Sequence, residues 1–238
     1  MWPNLRVHWD GEDHAAHDAG VKCLTHMNEW YLLPGMGASS EMYNSLKREL
    51  NFKVHFLNWP EYRNEVSYRE IAERIVEENG ISDGDIIGGS SLGGMVALEA
   101  AAVVNVRAVL LIGSAVAKNE INKLITLLSP LASITPISLV KKLAGKNENI
   151  VSQMFSTSDS DFIRSMCMYI SSWPGYLGST DKVFRIHGEK DHIIDCPPSR
   201  CEIVLNAGHL LAMTHVKECS EFIENTNLYL TTAFNGAR

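Results

Sequence analysis

Asp85-Ile86-Ile87-Gly88-Gly89-Ser90-Ser91-Leu92-Gly93-Gly94-Met95-Val96-Ala97-Leu98-Glu99-Ala100-Ala101-Ala102 passes from a short apolar run through Gly-x-Ser-x-Gly into an alanine-rich helical pattern. The order reads as strand, sharp turn, helix. A serine at such a turn has a strained backbone, and the chain on either side comes so close that the residues two before and two after it must lack bulk. Gly89 and Gly93 meet that need around Ser91, whereas Ser90 fails the same test because Leu92 stands two residues on. The register therefore selects Ser91 as the hydroxyl lifted off the end of the sheet. The Leu92 amide, at the helix start, is then directed toward any oxyanion formed beside it. The plain alternative is a glycine-rich turn carrying a solvent-facing serine, and the flanking sequence has to decide.

Upstream, Glu29-Trp30-Tyr31-Leu32-Leu33 reads as a buried strand that Pro34-Gly35-Met36-Gly37 breaks, leaving backbone amides unpaired at its carboxyl end. Ser39-Ser40-Glu41 opens a helix with Met42, Tyr43, Leu46 and Leu50 on one stripe. Residues 53–60 are expected as the next strand with its exit turn. Residues 67–79 form a helix that begins with the capping box Ser67-Tyr68-Arg69-Glu70 and ends before Gly80. Downstream of Ser91, a helix over 92–104 leads to a strand over 106–112, closed by Gly113-Ser114. Strand and helix alternate, which calls for a mostly parallel sheet covered by helices on both faces. Sites in such sheets lie at the carboxyl ends of the strands.

From Val116 the alternation stops. Apolar stripes at Ile121, Leu124, Ile125, Leu128 and at Ile137, Val140, Leu143 are divided by Pro130, Pro136 and Gly145. This predicts a helical insertion, residues 116–182, leaving the strand next to Ser91 as a lid. Residues 1–115 and 183–238 make up the core. Ordinary surface helices are the alternative. The alternation resumes with the strand Val183-Phe184-Arg185-Ile186-His187 and a last strand, Cys201-Glu202-Ile203-Val204-Leu205. A final helix is expected from Thr214 to about Asn225, and the tail beyond Asn227 either covers the core or frays. Residues 1–28 suggest at most two short strands. His8, His14, His17 and His26 there fit no ligand spacing and read as solvated.

At 238 residues and 45% hydrophobic composition, the chain suits one well-buried core with an insertion. A net charge of −7 without any basic run argues against a nucleic-acid partner. Five cysteines, odd in number and without a C-x-x-C pair, read as free thiols of a reducing compartment. No signal-peptide pattern and no long apolar run is seen, so the expected location is cytoplasmic and no membrane span is expected. Oligomeric state is not legible.

Serine is a weak nucleophile at neutral pH. A histidine must take its proton, and a carboxylate must orient that imidazole and stabilise its charged form. Asp191 and His209 follow the two later strands in the required places, with Glu189 and Asp195 as alternatives for the acid and His187, His192 and His215 as competitors for the base. Trp59, Trp173 and Met95 read as core residues rather than substrate contacts.

Taken together these motifs resemble the α/β-hydrolase family. Gly89-x-Ser91-x-Gly93 resembles its nucleophile elbow, His187-Gly188-Glu189-Lys190-Asp191 its acid loop, Ala207-Gly208-His209 its Gly-His loop, and Pro34-Gly35-Met36-Gly37 its oxyanion loop. The resemblance implies Ser91 as nucleophile, His209 as base, Asp191 as acid, and the Met36 and Leu92 amides as the oxyanion hole. It implies a serine hydrolase acting on a small-molecule carboxylic ester or related acyl compound with an apolar portion, needing neither metal nor organic cofactor. Thioester or carbon–carbon bond hydrolysis on the same triad is one alternative; a binding protein that keeps the fold with little turnover is another. The chain departs from the family at Pro34, where a histidine is usual, and at Asn58-Trp59-Pro60-Glu61-Tyr62, where Asp-x-Pro-Gly-x-Gly is common. The stretch between Asp191 and His209 is also so short that the helix customary there must be very short or missing.

Overall fold

Ile86 to Ser90 and Ala108 to Ile112 are runs almost free of polar side chains, and such strands are at home where both faces of a parallel sheet are covered. Both are buried along their whole length in the computed structural model, which describes residues 28–123 and 159–235. The elements in chain order are β1 (Trp30–Leu33), α1 (Asn44–Glu49), β2 (His55–Phe56), α2 (Tyr68–Asn79), β3 (Ile86–Ser90), α3 (Leu92–Ala100) and β4 (Ala108–Ile112), followed by α4 (Ser160–Ser172), β5 (Val183–Gly188), β6 (Glu202–Val204), α5 (Leu211–Thr214) and α6 (Val216–Asn235). The six strands form one sheet in the order β2-β1-β3-β4-β5-β6, and every pair is parallel. The central register aligns Leu33 with Gly89 and Ser90 with Ile112. The carboxyl ends of β1, β3 and β4 therefore finish side by side.

Side-chain alternation divides the core between the two faces. Tyr31, Leu33, Ile87, Val109 and Leu111 pack with α2, α3 and α4. Trp30, Leu32, Ile86, Leu110, Ile112 and Ile186 pack with the α1, α5 and α6 side, through Tyr43, Leu46, Leu211, Phe222 and Ile223. Each fully buried leucine contributes about 1.5–3 kcal/mol relative to exposure.

Several boundaries differ from the sequence expectation for local reasons. Of residues 53–60, expected as a strand with its exit turn, only His55–Phe56 form β2. After one more ladder bond, Leu57 N–H to Leu32 O at 2.9 Å, Asn58 turns away to accept a hydrogen bond from the Ser40 amide at 2.7 Å. In α2, Ser67 caps the Glu70 amide at 3.3 Å, but the Glu70 carboxylate reaches the Val66 amide instead of that of Ser67. Helix α3 ends at Ala100 rather than 104, because the Ala102 and Val103 amides tighten onto carbonyls three residues back. Helix α6 runs ten residues past its expected end, to Asn235. Its later turns are tied to the sheet, Arg107 donating to the Leu230 carbonyl and Phe184 meeting Tyr229, while Thr226, Thr231 and Thr232 bond their hydroxyls to carbonyls four residues earlier in the helix. Between Asp191 and β6 there is no helix. The short strands expected in residues 1–28 and the stripes from Leu124 to Leu143 lie outside the described residues.

Beyond β4 the chain is tied down at once. Arg185 of β5 pairs with Glu120 at 2.7 Å and donates to the Ser114 carbonyl at 3.1 Å, while Ile121 bridges to Ile194. Among the described residues, no helix is long and apolar enough to cross a membrane.

Candidate active site

The turn between β3 and α3 places Ser91 at φ 51° and ψ −120°, a region a non-glycine residue enters at a cost of about 1–3 kcal/mol. Four hydrogen bonds hold it there. The Ser91 amide donates to Ile112 O at 3.1 Å, the Ser114 hydroxyl donates to Ser91 O at 2.6 Å, and the Gly94 and Met95 amides of the first helical turn donate to the same carbonyl at 3.1 and 3.3 Å. The need for glycine on both sides is steric. A Cβ on Gly89 would lie 2.6 Å from both the Gly93 carbonyl carbon and Leu33 O, and one on Gly93 would strike the Pro34 and Leu33 carbonyl oxygens. Ser90, by contrast, is buried, with its amide and hydroxyl both bonded to the Tyr43 hydroxyl at 3.0 Å.

His209 arrives on the loop after β6, with its Nε2 2.9 Å from Ser91 Oγ and its Nδ1 2.8 Å from Asp191 Oδ2. A carboxylate only accepts, so Nδ1 carries the proton and Nε2 is the acceptor for the serine hydroxyl. Asp191 follows β5 and has a buried side chain. Its other oxygen accepts from the amides of Ile193 at 2.8 Å and Ile194 at 3.1 Å. Burial by itself pushes the Asp191 carboxyl up. The His209 imidazole beside it, and hydrogen bonds from His187, His209 and the Ile194 amide, outweigh burial and hold the carboxyl well below its ordinary range. Ser91, Asp191 and His209 are thus brought into one hydrogen-bonded chain, while Glu189 and Asp195 lie outside it. Glu189 bonds the Asn206 amide and Asp195 N–H meets Glu120 O.

His187, weighed as a competitor for the base, lies against Asp191 instead of Ser91. It is fully buried on β5, its Nε2 lying 3.0 Å from Ile194 O and 3.2 Å from Asp191 Oδ2. Both partners accept, so its Nε2 carries a proton, and its buried Nδ1 has no partner among the described residues. Its spacing of four residues from Asp191 was the available sequence signal. Gly113, Ser114 and Trp59 were also read only as structural punctuation or core. Gly113, at φ 55°, is packed so tightly that a Cβ would meet Leu211 at 2.8 Å and His209 O at 3.2 Å, close under the histidine.

Met36 follows the break after β1. The preceding residue, Gly35, lies against Ser91, since a Cβ built on it would be 3.7 Å from Ser91 Cβ. Neither the Met36 nor the Leu92 amide donates a hydrogen bond among the described residues. The Met36 side chain meets α4, where Cys167 Sγ is 3.6 Å from Met36 Sδ. Burial pushes the Cys167 thiol up to about 11, so it is protonated at neutral pH and a poor nucleophile. Phe162 of α4 packs on Trp59 at 5.3 Å and on Tyr62 at 6.1 Å between ring centres. Trp173 at the end of α4 is buried and donates to Glu99 at 2.9 Å, and Met95 is buried as expected. Among the described residues no group of three or more His, Cys, Asp or Glu side chains is placed to hold a metal ion.

No protein-family model matches the chain, and no curated protein matches its sequence. Solved structures do match. A thermophilic esterase from Thermogutta terrifontis aligns over 86% of this chain and 90% of its own, with a TM-score of 0.67 at 14% identity. The N-acyl homoserine lactonase AidH, complexed with N-butanoyl homoserine, aligns over 87% and 91%, with a TM-score of 0.68 at 15% identity. A hydrolase from Oleispira antarctica aligns over 84% and 90%, with a TM-score of 0.64 at 14% identity. The chain has the α/β-hydrolase fold.

Proposed function

We propose that this protein is a serine hydrolase acting on a carboxylic ester or a related acyl compound. The observation that carries this reading is the continuous hydrogen-bonded chain from Ser91 Oγ through His209 to Asp191 at the strained turn after β3. In this mechanism His209 Nε2 takes the Ser91 proton as Oγ attacks the acyl carbon. The Met36 and Leu92 amides receive the developing oxyanion, and Leu92 opens α3, where the helix dipole favours negative charge. His209 then passes its proton to the leaving alcohol. A water activated by the same nitrogen next attacks the acyl carbon, releasing the acid and restoring Ser91. Asp191 keeps its proton off throughout and stabilises the imidazolium. Ester, lactone and thioester carbonyls all suit this sequence of steps, and the lactonase and esterase among the structural neighbours support an acyl substrate.

Residues 116–182 act as a lid in this reading. The contacts of α4 with Met36, Trp59 and Tyr62 support an apolar wall beside the acyl carbon, suited to a small or medium hydrophobic group. A fluorophosphonate probe tests the proposal directly. Intact mass and peptide mapping should show one adduct, on Ser91, that is lost in His209→Ala. Ser91→Ala should lower turnover of an ester panel by about 10³-fold or more while the protein stays folded. A folded wild-type protein that takes up no probe, or a Ser91→Ala variant that keeps most of its activity, overturns the assignment.

A further inference from the structure

The Gly35–Met36 peptide is gripped from outside its own loop. Its carbonyl oxygen accepts one hydrogen bond from the Ala38 amide at 3.1 Å, within the turn, and a second from Trp59 Nε1 at 3.0 Å, after β2. The Gly35 amide donates to Met42 Sδ at 3.3 Å. A trans peptide is planar, with its C=O and N–H on opposite sides, so fixing the oxygen of Gly35 fixes the direction of the Met36 N–H. The loop contains two glycines, Gly35 and Gly37, the second at φ 72°, and the Ala38 bond sets the shape of the turn from within it.

We infer that Trp59 is a positioning residue for the Met36 amide: its indole N–H fastens the carbonyl end of that peptide so that the amide end is held at the Ser91 hydroxyl. The inference rests on the serine-hydrolase reading and adds a residue to it. It also gives a role to the segment after β2, whose Asn58-Trp59-Pro60 sequence departs from the common glycine-rich pattern. Asn58 holds the Ser40 amide and Trp59 holds Gly35, so two adjacent side chains clamp the loop from one side. Helix α4 braces both ends of the clamp, through Phe162 against the Trp59 ring and Cys167 against Met36.

The test separates the N–H from the ring. Trp59→Phe removes the donor with part of the ring, and 3-benzothienylalanine introduced at position 59 by amber suppression keeps the ring volume and loses only the N–H. Saturable labelling with a fluorophosphonate gives kinact and KI separately, and its phosphoryl oxygen probes the oxyanion site. Losing an oxyanion donor outright costs 10²–10³-fold, so a donor that is present but unfastened is expected to cost about 10-fold in kinact, with KI within about 2-fold and the adduct still on Ser91. Wild-type kinact in both folded variants overturns the inference. So does a fall in the phenylalanine variant alone, which would mean packing, and if that variant fails to fold the isostere decides. Wild-type protein that is not labelled on Ser91 instead overturns the serine-hydrolase reading, and this inference with it.

Discussion

Asp191 shows how one side chain can concentrate several constraints. Its two oxygens accept from His209, from the Ile193 and Ile194 amides, and face His187, and the charged form is favoured despite burial. A carboxyl whose folded pKa lies below its unfolded value of about 3.9 stabilises the fold at neutral pH. As pH falls through that value the unfolded chain takes up the proton first, so the contribution is lost progressively on the acid side. Thermal midpoints measured from pH 7 down to about pH 3 should therefore fall more steeply for wild type than for Asp191→Asn, which cannot titrate there. Parallel curves would mean that Asp191 is not held in its charged form. The same substitution should cost several orders of magnitude in turnover, because an amide can fix the wrong tautomer of His209.

The elements show which glycines the fold needs for space and which for conformation. Gly89 and Gly93 are crossed by backbone on all near sides, and no flexible side chain can give way. Gly80, which ends α2 at φ 63°, would have nothing among the described residues within 4 Å of a Cβ. Gly89→Ala should therefore cost about 3 kcal/mol or more, or prevent folding, from overpacking against backbone. Gly80→Ala should cost only about 1–2 kcal/mol, the price of a left-handed alanine. Urea unfolding midpoints of the two variants decide this, and similar losses for both would contradict the steric account. The pattern Gly-x-Ser-x-Gly was readable because β3, the turn and α3 are consecutive in sequence. The end of α6 was not, because it depends on Arg107 reaching the Leu230 carbonyl and on Phe184 meeting Tyr229, contacts between residues far apart in the chain.

At the scale of the molecule the sheet separates two tasks. The face with α2, α3 and α4 carries Met36, Trp59 and Phe162, and the opposite face with α1 and α6 is mostly apolar packing, from which Met42 and Tyr43 reach the Gly35 amide and Ser90. Phe222→Ala, on α6, should lower stability by about 3–5 kcal/mol while the folded fraction labels with fluorophosphonate at an unchanged rate; a matching fall in labelling rate would show that the two faces are coupled. The strand–helix alternation, the choice of Ser91 over Ser90 and the order Ser91, Asp191, His209 were determined by the sequence alone, since each rests on local pattern or on chain order. Only the tertiary structure decided that His187 lies against Asp191, that Ser114 holds the Ser91 carbonyl and that Trp59 holds Gly35. A hydrogen bond between distant segments leaves no period in the sequence, because its partners are chosen by where the sheet brings the strand ends together.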